Sequence, residues 1–101
     1  MTLPVVYRQR VQHDLAGAFD WYELQGLGTG DHFLAVQTAL HAIGQYPEMF
    51  AAVHGEVRRA IVSRFPLAVF YTIEPQRVVV LRVLHTSRNP ALWPAPRGPA
   101  R

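Results

Sequence analysis

The twenty residues PLAVFYTIEPQRVVVLRVLH, Pro66 to His85, decide the fold. Pro66 to Ile73 and Arg77 to His85 are each dense in β-branched and aromatic residues, and only Glu74-Pro75-Gln76 separates them, so the segment predicts a β-hairpin. Neither arm alternates polar with apolar residues. A strand that is apolar on both faces is normally covered on both faces, which places this pair centrally in a sheet.

Upstream of the hairpin, Glu56 to Arg64 alternates: Val57, Ile61 and Phe65 on one side, Arg58, Ala60, Val62 and Arg64 on the other. That predicts another strand, with a basic face. Near the start, Pro4 to Gln9 is a short β-favouring run opening on a proline, as suits a sheet edge. Between these strands the period becomes helical. Val11, Leu15, Ala18, Phe19 and Tyr22 share a stripe over residues 10–25, and Phe33, Val36, Leu40 and Ile43 share one over 31–45. Gly26-Leu27-Gly28-Thr29-Gly30 supplies the break between two helices, and Pro47 stops the second. The order is therefore β-α-α-β-β-β: an α+β domain with an antiparallel sheet of about four strands and a helical hairpin on one face. This domain takes residues 1–93. Three prolines in residues 94–101 predict a disordered tail.

Composition removes several chemistries. The 101 residues include no cysteine, which excludes disulfides, thiolate nucleophiles and cysteine metal sites, and the five histidines have no metal-ligand spacing. Neither metal nor cofactor is expected. No apolar run reaches membrane-spanning length and the N-terminus lacks a secretory pattern, so a cytoplasmic protein without membrane association is expected. The glycine-rich Gly26–Gly30 segment follows a helix rather than a strand and lacks a lysine, which argues against nucleotide binding. Every basic residue is arginine, and the charge is unevenly divided. Residues 1–50 hold two arginines against five acids, while residues 51–101 hold eight against two, net −3 and +6. The second half presents arginines suited to phosphate or carboxylate contact.

Particular words recur along this framework: Asp14-Leu15, Asp20-Trp21-Tyr22-Glu23, Gly26-Leu27-Gly28, Phe33, Tyr46-Pro47 and Phe50, then Arg58, Arg64-Phe65-Pro66, Tyr71 and His85-Thr86-Ser87-Arg88-Asn89-Pro90 with Trp93. Together, over residues 4–93, they resemble the RelE/ParE superfamily of toxins from bacterial type II toxin-antitoxin modules, often called plasmid stabilisation proteins. The resemblance is to the ParE-like side. It implies a toxin that inhibits growth by poisoning DNA gyrase and is neutralised by a cognate antitoxin, acidic and encoded by the adjacent gene. Two alternatives stay open: a RelE-like, ribosome-dependent mRNA endonuclease, and a non-toxic member that only binds its antitoxin.

RNA cleavage by a 2′-hydroxyl needs a base, an acid and cations for the phosphorane charge. Candidates are His85, Arg64 and Arg58, with Arg82 and Arg88 nearby in sequence. His85 falls where an endonuclease branch of the superfamily keeps a functional histidine. However, the cation that branch places three positions before the tyrosine matching Tyr71 is Ala68 here, and the RelE-branch lysines have no counterpart. The endonuclease set is incomplete, so a binding toxin is the favoured reading. Target contacts are then expected from Arg58, Arg64, Arg82, His85 and Arg88, and antitoxin contacts from Trp21, Tyr22, Phe70 and Trp93.

Overall fold

The computed structural model describes residues 2–24, 29–62, 66–86 and 94, without the side chains of Tyr22, Glu23 and residues 29–33. The elements are β1 (Val5–Tyr7), α1 (Gln9–Leu24), α2 (Thr29–Gln45), β2 (Ala52–His54), β3 (Val57–Ile61), β4 (Leu67–Glu74) and β5 (Arg77–His85). The strands form one sheet in the order β1-β5-β4-β3-β2. The doubly apolar arms β4 and β5 are thus internal, and β1 is an edge. None of the described helices is long and apolar enough to cross a membrane.

Two features correct the sequence-based expectation. The sheet has five strands, because Ala52–His54 pairs antiparallel with β3 through a tight turn in which Gly55 adopts φ 59°. A positive φ suits glycine and the hairpin turns that match strand twist. The sheet is also mixed, since β1 runs parallel to β5, with Val5 opposite Val78 and Tyr7 opposite Val80. Both helices lie between β1 and the rest of the sheet in sequence, and this long crossover makes a parallel pairing possible. The N-terminus is tied down at its other side by Leu3, whose N–H donates to the Gly44 carbonyl at 2.9 Å. A Cβ on Gly44 would sit 3.0 Å from the Leu3 oxygen and 3.1 Å from Val5 Cγ2, so glycine permits this close approach.

The helix-side core contains Val11, Val36 and Ile43 from the helices and Val69, Tyr71, Val78, Val80 and Val83 from the sheet. On the opposite face Val57, Ala68, Phe70 and Leu84 form a second buried cluster, with Val53 and Leu81 packed against it. This answers why β4 and β5 lack polar alternation. Register along them shifts once: Phe70 pairs with Arg82 and Tyr71 with Val80, leaving Leu81 as an inserted residue on β5. Val80 and Val83, three apart, therefore both reach the helix-side core, which an unbroken strand would forbid.

The expected basic face of β3 is corrected too. Ala60 and Val62, expected with Arg58 and Arg64 on the basic side, are buried in the helix-side core, and Ile61, expected on the other side, is 51% exposed. The helices cover the Ala60 side of the strand. Arg64 lies outside the described residues, as does the segment expected to form the tail apart from Pro94.

Candidate functional site

Among the described residues a cleft lies between α1 and β5. Its inner wall is set by Asp14 and Arg82, which join the two elements across 68 residues of sequence. Arg82 donates from Nε to Asp14 Oδ2 at 2.8 Å and from Nη2 to Oδ1 at 3.0 Å, and the Val83 N–H also donates to Oδ2 at 3.0 Å. This fork geometry is the strong form of an arginine-carboxylate contact. The bond to Asp14 raises the Arg82 pKa above its ordinary value; partial burial opposes this, and the Asp14 charge reinforces it. The pair is close to neutral as a unit.

Two turns along α1 from Asp14, Trp21 meets His85 from the end of β5, with ring centroids 5.9 Å apart in a T-shaped arrangement. Trp21 remains 45% exposed. Between these positions stands Gly17, where an added Cβ would meet nothing within 4 Å. The result is a cleft of about 570 Å³ lined by His13, Asp14, Gly17, Ala18, Trp21, Leu67, Arg82, Val83, Leu84 and His85.

A second hollow, about 400 Å³ and more apolar, lies where Tyr7 and α1 meet α2, lined by Val11, Leu15, Phe19, Val36 and Leu40 among others. Tyr7 and Phe19 are 51% and 41% exposed there.

Arg58 sits elsewhere. Its guanidinium Nη1 donates to the Phe50 carbonyl at 2.6 Å and to the Glu48 carbonyl at 3.3 Å, so it holds the loop after α2. Tyr71 donates its hydroxyl to the Pro47 carbonyl at 2.6 Å in the same loop, and Phe50 packs edge-on against the Tyr71 ring. Burial pushes the Tyr71 phenol up to about 12, with the Arg58 charge acting the other way. Ala68, on β4, is buried in the cluster on the other face of the sheet.

With this geometry in hand, the family comparison is direct: the model for the ParE toxin of the type II toxin-antitoxin system, parDE, matches residues 5–90. The chain belongs to the ParE toxin family. A solved structure described as the chromosomal ParDE TA system from P. aeruginosa superposes with a TM-score of 0.64 at 15% identity, covering 85% of this chain and 98% of that chain. At that identity the likeness speaks for the fold. No curated protein matches. As a ParE-family toxin of a type II system, the protein has a cognate antitoxin as its partner.

The sites expected in this toxin divide into three groups. His85, Arg82 and Trp21 come together in the α1–β5 cleft, although Arg82 is engaged by Asp14 and is not a freely presented cation. Arg58 lies apart from them and serves the loop after α2. Phe70, expected at the antitoxin surface, is 1% exposed within the far-face cluster, because it alternates with Val69 and Tyr71 on the strand that forms both cores. Arg64, Arg88, Trp93 and the Tyr22 side chain lie outside the described residues. Sequence reasoning passed over Gly17, Asp14 and Tyr71 as site-forming groups. Gly17 had a signal: a lone glycine inside a helical stripe lowers helix stability and calls for a reason.

Among the described residues no group of histidine and acidic side chains is placed to hold a metal ion.

Proposed function

We propose that this ParE-family toxin acts in the cytoplasm by binding DNA gyrase rather than by cleaving RNA, and that its antitoxin blocks that binding. The observation that carries this reading is the commitment of two candidate arginines within the fold: Arg58 to two loop carbonyls and Arg82 to Asp14. An endonuclease would need such cations turned toward a phosphate, and Ala68 stands at the middle-strand position where the endonuclease branch keeps one. A binding toxin needs only a rigid, complementary surface. The antitoxin, acidic and encoded by the adjacent gene, seats an amphipathic segment in the hollow between Tyr7, Phe19 and Leu40, where apolar side chains are exposed on a firm helical base.

Controlled induction in a bacterial host tests the reading. Gyrase poisoning raises the DNA-damage response and leaves transcripts intact. Cleavage of ribosome-bound transcripts without that response is the outcome that assigns the chain to the endonuclease class. Coexpression with the adjacent gene product should abolish growth arrest and yield a copurifying complex.

A further inference from the structure

We propose that the α1–β5 cleft is an anchor pocket for one uncharged aromatic side chain, of tyrosine type, presented by a protein partner. The proposal concerns ring binding by the free toxin and stands apart from the choice of gyrase as target.

Four observations on the cleft converge. At about 570 Å³ it lies within the range of roughly 300–1,000 Å³ of built ligand pockets. Gly17 leaves it open at the position where a helix would ordinarily place a side chain, at a cost in helix propensity. Trp21 is about half exposed beside His85, so one edge-to-face ring pair already exists and a third ring extends it on the cleft side. Asp14 neutralises Arg82 while occupying Nε and Nη2, which leaves Nη1 as a donor for a hydroxyl without a net charge to attract phosphate.

That last point selects the occupant. A nucleotide brings a phosphate, for which the paired Arg82 is a poor receptor, whereas a phenol offers a flat face and one oxygen acceptor. Aromatic side chains are also the usual anchors of protein interfaces.

The test is a titration of the purified full-length toxin with N-acetyl-tyrosinamide, followed by amide and indole proton-nitrogen spectra. Saturable shifts are expected at Gly17, Val83, His85 and the Trp21 indole. Gly17→Leu fills the cleft from α1 and should weaken the response by roughly tenfold or more. Gly17→Ala keeps most of the space and should preserve it. Should Gly17→Leu lose its melting transition, Trp21→Ala serves as the second variant, read at Gly17 and Val83, with the same loss expected. Absence of saturable shifts, shifts that persist in the folded Gly17→Leu protein, or a stronger response to adenosine monophosphate at the same amides each overturns the proposal.

Discussion

Arg58 and Tyr71 stand opposite one another on β3 and β4, and both donate to backbone carbonyls of a single loop. Two neighbouring strands thus fix the exit of α2, and the loop in turn presents Tyr46 and Met49, 60% and 61% exposed, on a rigid support. Arg58, expected in the sequence as a target contact, also holds this loop.

Arg58→Gln should therefore destabilise the protein by about 1–3 kcal/mol, since a shorter neutral side chain leaves the Phe50 carbonyl without its charged donor. Urea unfolding measures this. A stability unchanged within about 0.5 kcal/mol, the usual range for a surface substitution, returns Arg58 to the list of exposed contacts.

Tyr71 gives a pH signature. Its phenol titrates near 10 when unfolded and near 12 when folded, so between those values the unfolded chain binds fewer protons and stability falls as pH rises. Below pH 10 both states are protonated and the group contributes no slope. Tyr71→Phe should remove this alkaline loss while costing about 1 kcal/mol at neutral pH through the lost bond to Pro47. Melting temperatures of the two proteins across the alkaline range supply the comparison.

The Asp14–Arg82 pair joins α1 to β5 with Asp14 only 9% exposed. Removing one partner leaves the other charge partly buried, so Asp14→Asn and Arg82→Gln should each cost about 2–4 kcal/mol, and the double variant less than their sum. A double-mutant cycle reads the coupling directly. Additivity within about 0.5 kcal/mol contradicts the pairing.

Two glycines make opposite predictions. Gly17→Ala adds a methyl group to open space and gains helix propensity, for a stabilisation of about 0.5–1 kcal/mol. Gly44→Ala makes the same gain but forces its methyl against the Leu3 oxygen and Val5, which shifts the β1 anchor, and the net change should be destabilising. Paired thermal melts separate the two.

The parts of this fold that were legible in the sequence are those with long periodic signals. The two helices could be read because each repeats one spacing over a dozen or more residues, bounded by Pro47 and the Gly26–Gly30 segment, and the β4–β5 hairpin because two dense runs of β-branched and aromatic residues flank Glu74-Pro75-Gln76. Ala52–His54 is too short to show a period. The parallel pairing of β1 depends on how a helical crossover returns to the sheet, and the register shift at Leu81 leaves no trace in a run of valines and leucines. The site was less legible for a related reason. Strand alternation tells which residues share a face, not which face the helices cover, so Arg58 reads as part of a basic face although Ala60 and Val62 on that side are core. Asp14 shows the same limit, since its partner lies 68 residues away.

The central claim, a toxin that binds gyrase rather than cleaving RNA, is tested most directly with the wild-type and His85→Gln proteins, each purified and added to gyrase supercoiling reactions and to translating ribosomes. Glutamine keeps a hydrogen-bonding side chain but cannot shuttle a proton near neutral pH. The account predicts that both proteins inhibit supercoiling to a similar degree and that neither cuts ribosome-bound transcripts. Transcript cleavage by the wild type, reduced roughly 100-fold or more in a folded His85→Gln protein that still binds the antitoxin, with gyrase unaffected, would contradict it.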